Sequence, residues 1–223
     1  MKRKSKNPLT TIHTGTGNKG TTYLKGPGLS KADPLVDFIG TLDEAAAALG
    51  RCEVSFSFGS SKECDSQIKM NSLLEQAIEV FFEIGAMVHS TEAKKNHYTD
   101  LLVFQAEVEA LMKEVIDNEY VDPLEGFIIP DEENGDLMLA RAVIRRAERE
   151  AVKCGEMDFV PILNVLSDFI FVVVWSTCHY YREWKGFSVP SSANSVEEEG
   201  EIKAQRHSLL EAEQDAIKHG LKI

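Results

Sequence analysis

The sequence predicts an all-α fold, a five-helix up-and-down bundle preceded by a glycine-rich loop. Apolar residues recur at steps of three and four in five separate segments. The stretches between them are short and rich in polar residues, Gly or Pro, and no clear strand pair or internal repeat interrupts them. With 43% hydrophobic residues in 223, the chain can bury one core of ordinary domain size. Residues 8–186 are assigned to the bundle and 187–223 to a charged tail.

Residues 8–34 are rich in Gly, Thr and Pro without helical period, and read as a structured loop with 10–13 extended. The first helix is expected over 35–56, where Val36, Ile39, Leu42, Ala46 and Leu49 share a face. Residues 57–62 form a Ser/Gly link. The second helix covers about 66–90, with Leu73, Ala77, Val80, Phe81 and Ile84 inward. A polar link over 89–97 leads to the third, near 99–118. Two prolines, a glycine and an acidic run mark 122–134 as a loop. The fourth helix fits 135–154, a break follows at 155–158, and the fifth runs over 159–184. The fifth is apolar nearly all round, so it is expected at the centre.

The formal charge of −12, from 36 acidic against 24 basic residues, argues against a nucleic-acid surface. The four cysteines, Cys52, Cys64, Cys154 and Cys178, are scattered without a CxxC pair and read as inert thiols of an intracellular protein. The basic residues 1–7 lead into no apolar stretch, so no secretory signal is expected. The apolar run 169–175 is too short to span a bilayer, so no membrane partner is expected. The compartment is read as cytoplasmic, or as mitochondrial if a transit peptide has been lost.

Residues 14–22, Thr-Gly-Thr-Gly-Asn-Lys-Gly-Thr-Thr, form the densest local signal. Glycines let a backbone approach a ligand closely, and the threonine hydroxyls and Lys19 add donors suited to a polyphosphate. Gly15, Gly17 and Gly20 satisfy G-x-G-x-x-G, but the dinucleotide fingerprint needs a strand before it and a helix starting within it. Neither is in prospect here. Gly20 is followed by Thr21, which excludes a Walker loop. A surface loop and a phosphate site are equal readings of this segment by itself.

On the fourth helix Leu137, Ala140, Ile144, Ala147 and Ala151 form the apolar face, and Arg141, Arg145 and Glu148 make a stripe beside it. Two guanidiniums one turn apart suit a triphosphate, and Glu148 is expected to hold one of them. The competing reading is a solvated face. Asp43, beside Leu42 on the first helix, needs a cation if partly buried, and Arg141 or Arg145 is its expected partner. On the fifth helix Asn164, Ser167 and Asp168 share one face. They read either as an interhelical hydrogen-bond network or as a ligand edge, with Asn164 on a nucleotide and Asp168 bracing an arginine.

Taken together, three blocks resemble the PduO-type ATP:cob(I)alamin adenosyltransferases. They are residues 12–24 continuing to Lys31-Ala32-Asp33 and Gly40–Glu44; 127–130 followed by 140–149; and 163–171. The resemblance covers roughly 10–185. It implies a ferritin-like homotrimer of five-helix bundles with active sites at subunit interfaces. It implies that Thr14, Thr16, Gly17, Lys19, Gly20, Thr21 and Lys31 bind ATP, with Mg²⁺ arriving on the nucleotide rather than on a protein ligand set. Arg141 would contact ATP and pair with Asp43; Arg145, Glu148 and Asn164 would complete the nucleotide site. Phe127 would press on the corrin and keep the lower axial ligand off cobalt.

The implied reaction is attack of reduced cobalt in cobalamin on C5′ of ATP, expelling triphosphate, so no general base is required. A reductase and an adenosylcobalamin-dependent acceptor enzyme are the implied partners. The sequence departs from the family pattern at Gly15, usually Arg or Lys; at Asn18, usually Asp; at Val165, usually Arg; and at Asp131 and Glu132, usually paired glycines. These departures motivate an alternative, an ATP- or corrinoid-binding carrier on the same fold with weak or no transfer. The acidic balance and charged tail motivate a third reading, a plain helical interaction protein.

Overall fold

The computed structural model describes residues 15–24, 28–53, 65–118, 124, 126–177 and 182–186. Their helices are α1 (Pro34–Glu53), α2 (Asp65–His89), α3 (Thr91–Asn118), α4 (Gly135–Cys154) and α5 (Val160–Thr177). The described residues divide into two compact units: all five helices lie in the first, while Leu124, Gly126, Phe127 and residues 183–186 belong to the second.

Helix α1 starts where Asp33 precedes Pro34. The Asp33 carboxylate accepts the Leu35 N–H at 2.9 Å, satisfying one of the amides that a helix leaves unbonded at its start, and Pro34 supplies a preset φ. Phe38, Leu42, Ala45, Ala46 and Leu49 form its buried face. Helices α2 and α3 are separated by a single residue, Ser90, whose hydroxyl accepts the Ala93 N–H at 3.3 Å. Residues 91–97, expected to be a link, are therefore the first turns of α3. A polar sequence there is compatible with helix because Lys94 and Tyr98 face the turn before α5. Lys94 bonds the Asp158 carboxylate at 2.5 Å and lies over the Phe159 ring, while the Tyr98 hydroxyl donates to the Asp158 carbonyl.

Gly155, at φ 82°, ends α4 in the left-handed conformation that favours glycine. The Glu156 N–H then returns to the Ala151 carbonyl at 2.9 Å. A 3-10 turn at Met157–Phe159 leads into α5. Packing runs in a closed circuit: α1 against α2, α2 against α3, α3 against α5, α5 against α4, and α4 back against α1. The core fills that ring with Phe38, Phe81, Ile84, Val108, Ile144, Phe159, Leu163 and Phe169.

Three expectations are corrected. Helix α5 ends at Thr177 and not at 184; Arg182–Trp184 is a strand, β4, alternating exposed, half-buried and exposed as a strand does. Strands do occur: β1 (Thr21–Thr22) pairs antiparallel with β2 (Leu29–Ser30), and β3 (Phe127–Ile129), inside the expected loop, forms a two-stranded sheet with β4. Such two- and three-residue strands are too short to show period two in sequence. Finally, α5 is not buried all round, since Pro161, Asn164 and Asp168 are exposed along one stripe.

Met157–Thr177 is long and apolar enough to cross a bilayer by length and composition. Ile162, Leu163, Leu166, Phe169, Ile170 and Val173 are nevertheless buried within the bundle. The links and tail expected at 10–13, 57–62 and 187–223 lie outside the described residues, as do Cys64 and Cys178. Cys52 is buried, and Cys154 is a free thiol whose pKa is raised by burial.

Candidate functional site

The glycine-rich segment folds as a 3-10 turn, Thr16–Lys19, bracketed by two left-handed glycines, Gly15 at φ 69° and Gly20 at φ 78°. That conformation disfavours a side chain, which is why two glycines stand there. The Gly20 carbonyl accepts the Lys31 N–H at 2.9 Å, returning the chain through β1 and β2. At Gly17 an added Cβ would stand 2.9 Å from the Lys31 Nζ, the far end of a flexible side chain. The Lys31 ammonium thus lies directly over the turn, joining Gly17, Lys19, Gly20 and Thr21 in one local structure. Thr14 lies outside the described residues. The loop's extensive packing is internal, between the 3-10 turn and its own ribbon.

Helix α4 carries the second part of the site. Its buried face is Leu137, Ala140, Ile144, Ala147 and Ala151. On one side of that face Arg141 is half-buried, with Nε buried and without a hydrogen-bond partner. Burial first, then the like charge of Arg145, lowers the Arg141 pKa below the ordinary guanidinium value, and Asp168 on α5 opposes the shift. Its guanidinium carbon lies 5.2 Å from the centroid of the Phe171 ring. Arg145 is exposed, and its carbonyl accepts a bond from Arg149 at 2.8 Å. Among the described residues neither Arg141 nor Arg145 forms an ion pair.

The expected partners of these arginines are not where the sequence suggested. Asp43 is exposed, and the carboxylate acting on Arg141 is Asp168. The carboxylate that does cross from α1 to α4 is the next residue, Glu44, and it pairs with Arg146 on the opposite flank. One residue further along a helix turns the side chain by about 100°, enough to change its partner. Glu148 is half-buried and makes no ion pair among the described residues, so it tethers neither arginine.

On α5 the three polar residues separate. Ser167 is fully buried with its hydroxyl unpartnered, while Asn164 and Asp168 face solvent. Asn164, Asp168 and Phe171, at i, i+4 and i+7, form one stripe. Phe171 is the residue that sequence reasoning missed, and its spacing from Asp168 was the available signal. Val165 is half-buried beside this stripe.

In the second unit Phe127 is 71% exposed. Its ring centroid lies 6.1 Å from that of Trp184, which is 48% exposed. Gly126 permits this arrangement, because a Cβ there would meet the Trp184 carbonyl oxygen at 2.5 Å. An exposed aromatic pair of this kind suits a flat apolar ligand.

After Pro130, Asp131 and Asn134 build a reciprocal turn. The Asp131 carboxylate accepts the Glu133 and Asn134 N–H groups at 3.0 and 3.1 Å, and the Asn134 side-chain oxygen accepts the Asp131 N–H at 3.2 Å. No group of three or more His, Cys, Asp or Glu able to hold a metal occurs among the described residues.

The model of the cobalamin adenosyltransferase family matches residues 12–177. The chain belongs to that family. It is 32% identical over 172 residues to the corrinoid adenosyltransferase PduO of Salmonella typhimurium, covering 73% of this chain and 48% of that protein. It is 30% identical over 177 residues to the corrinoid adenosyltransferase MMAB of Bos taurus, covering 73% of this chain and 69% of that one. The match spans about half the length of the PduO relatives, 48% and 50%.

Among solved structures, a variant PduO-type ATP:corrinoid adenosyltransferase from Lactobacillus reuteri, complexed with cobalamin and ATP, superposes with TM-score 0.59 at 23% identity. It covers 78% of this chain and 99% of that one. A second variant, complexed with ATP, gives TM-score 0.54 at 24% identity, covering 74% and 92%. These likenesses establish the adenosyltransferase fold of the bundle.

Proposed function

We propose that the protein transfers the 5′-deoxyadenosyl group of ATP to the cobalt of a reduced corrinoid. The observation that carries this reading is the Arg141–Arg145 pair: two guanidiniums one turn apart, neither in an ion pair among the described residues, on the helix that bears the family's motif. Like charges held together at a half-buried site are stabilised by an anion of high charge, and a triphosphate is such an anion.

In the proposed reaction cobalt forms a bond to C5′ while the C5′–O bond breaks, and triphosphate leaves with the electron pair. Reduced cobalt is itself the nucleophile, so the protein's work is alignment and stabilisation of the leaving group. Arg141 and Arg145 would take the triphosphate oxygens. The turn at Thr16–Lys19, with Lys31 above it, would wrap the phosphates and their Mg²⁺, which enters with ATP. Asn164, exposed on α5, would contact the nucleotide. Phe127 would supply the apolar wall that excludes the lower axial ligand.

We further propose a homotrimer in which the loop of one subunit meets α4 of its neighbour. This accounts for a loop whose packing is internal within the single chain. The reductase that supplies the low-valent corrinoid and the enzyme that accepts the product belong to the same proposal. Mixing the protein with reduced cobalamin and MgATP should produce the spectrum of adenosylcobalamin. Saturable MgATP binding without that product would overturn the transferase reading. Sedimentation at a mass other than three chains would overturn the trimer.

Gly15, Asn18 and Val165 favour a second reading, a carrier with weak transfer. Restoring the acid with Asn18→Asp should raise turnover several-fold if divergence at the loop limits catalysis. Gly15→Lys is the poorer restoration, since Gly15 sits at φ 69°, where a side chain costs roughly 1–2 kcal/mol. An Asn18→Asp protein no faster than the natural chain would remove the loop from the explanation.

A further inference from the structure

We propose that Lys94 and Tyr98, on the first turns of α3, are positioning residues for Asn164: they clamp the turn from which α5 starts and so set where its nucleotide-facing edge stands. This rests on the proposed contact between Asn164 and the nucleotide. Helices α4 and α5 carry the arginine pair and Asn164, and residues 155–159 join the two helices. Gly155 ends α4 at φ 82°, and Met157–Phe159 is a single 3-10 turn. A turn so short has few hydrogen bonds of its own, so its direction depends on what grips it from outside.

Helix α3 supplies that grip. The Lys94 ammonium bonds the Asp158 carboxylate at 2.5 Å and stands 5.1 Å from the centroid of the Phe159 ring. Tyr98, one turn further along the same face of α3, donates its hydroxyl to the Asp158 carbonyl at 3.3 Å. Its ring meets that of Phe159 edge-on, with centroids 6.5 Å apart. Phe159 is fully buried, so a cation and an aromatic edge fix a ring that has no room to move. Val160 follows it as the first residue of α5, and Asn164 stands one turn beyond. Any rotation of the 3-10 turn is carried through that single turn of helix to the Asn164 amide. The polar residues 91–97 thereby acquire a role: the Ser90 cap starts α3 early enough to bring Lys94 onto the turn.

The test uses the full chain and MgATP, with affinity read by titration calorimetry and folding by thermal melting. Lys94→Met keeps an apolar stem and removes the charge from both Asp158 and the ring. It should weaken MgATP binding by about two- to tenfold, within the range for a residue that acts on a site without touching the ligand. Lys94→Arg should restore most of the affinity, and Tyr98→Phe, which loses the hydroxyl alone, should show a smaller loss. In an Asn164→Ala background Lys94→Met should cause no further loss, because the group it positions is gone. Asp158→Asn serves if the methionine variant does not fold.

Equal affinity of the Lys94→Met protein and the natural chain would overturn the clamp. So would the same loss with Ala at 164, which would make Lys94 a matter of general stability. If Asn164→Ala by itself binds MgATP as the natural chain does, the nucleotide contact fails and the clamp falls with it. The first two results leave that contact standing, so the failures are distinguishable.

Discussion

The two flanks of helix α4 carry the same residue type to opposite ends. On the flank facing α1, charges are matched: Arg146 meets Glu44, and Asp136 meets Arg51 at 3.1 Å. On the flank facing α5, Arg141 and Arg145 make no ion pair among the described residues; one rests on a ring and the other is exposed. An arginine that serves the fold finds its counter-charge within the chain. Two without a counter-charge among the described residues, one turn apart, are the pair to which the proposed function assigns the triphosphate. The sequence Arg145-Arg146 contains both kinds side by side, and only the helical rotation between them separates the roles.

Breaking the unmatched flank should produce the largest effect. Arg145→Ala is expected to lower turnover by about 10²- to 10³-fold, the loss that follows removal of a single donor to developing negative charge. Its melting temperature should stay near that of the natural chain, because no intrachain partner is orphaned. Kinetics and a melt on the same preparation check both halves, and matched losses would make Arg145 structural.

The matched flank should behave in reverse. Arg146→Gln strips Glu44 of its partner and should cost roughly 0.2–1 kcal/mol, as a partly exposed ion pair does, with MgATP affinity unchanged. Denaturant unfolding and calorimetry read the two quantities, and weakened MgATP binding would break the division between flanks. Smallest of all is Arg51→Ala. Its side chain is 72% exposed, so neither stability nor affinity should change measurably, and a clear loss in either would show the outer pair to be part of a larger network.

Much of this was legible before the coordinates. Strong three-and-four periodicity placed α1, α2 and α4 to within a few residues, since each buries one continuous face of Leu, Ile, Val, Phe and Ala. The start of α3 was not legible: residues 91–97 are polar, and the cap that begins the helix there is one serine hydroxyl. Nor was the end of α5, because no glycine or proline follows the apolar run 169–175 before Arg182–Trp184. The arginine stripe was readable as a stripe, whereas its partners were not. Asp43 and Glu44 are adjacent carboxylates on a solvent-facing turn, and pattern by itself does not choose between them.

The sequence alone determined the five helices, the glycine-rich loop and the family, because periodicity and motif spacing are local properties of the chain. Only the tertiary structure decided which cation is neutralised within the chain. It set Arg146 against Glu44, Arg141 on Phe171, and the Lys31 ammonium over Gly17. Those are contacts between elements, fixed by the rotation of each helix about its own axis and by which helices share a wall. An electrostatic site depends on the charges that fail to meet as much as on those that do, and this is settled only once the elements are packed.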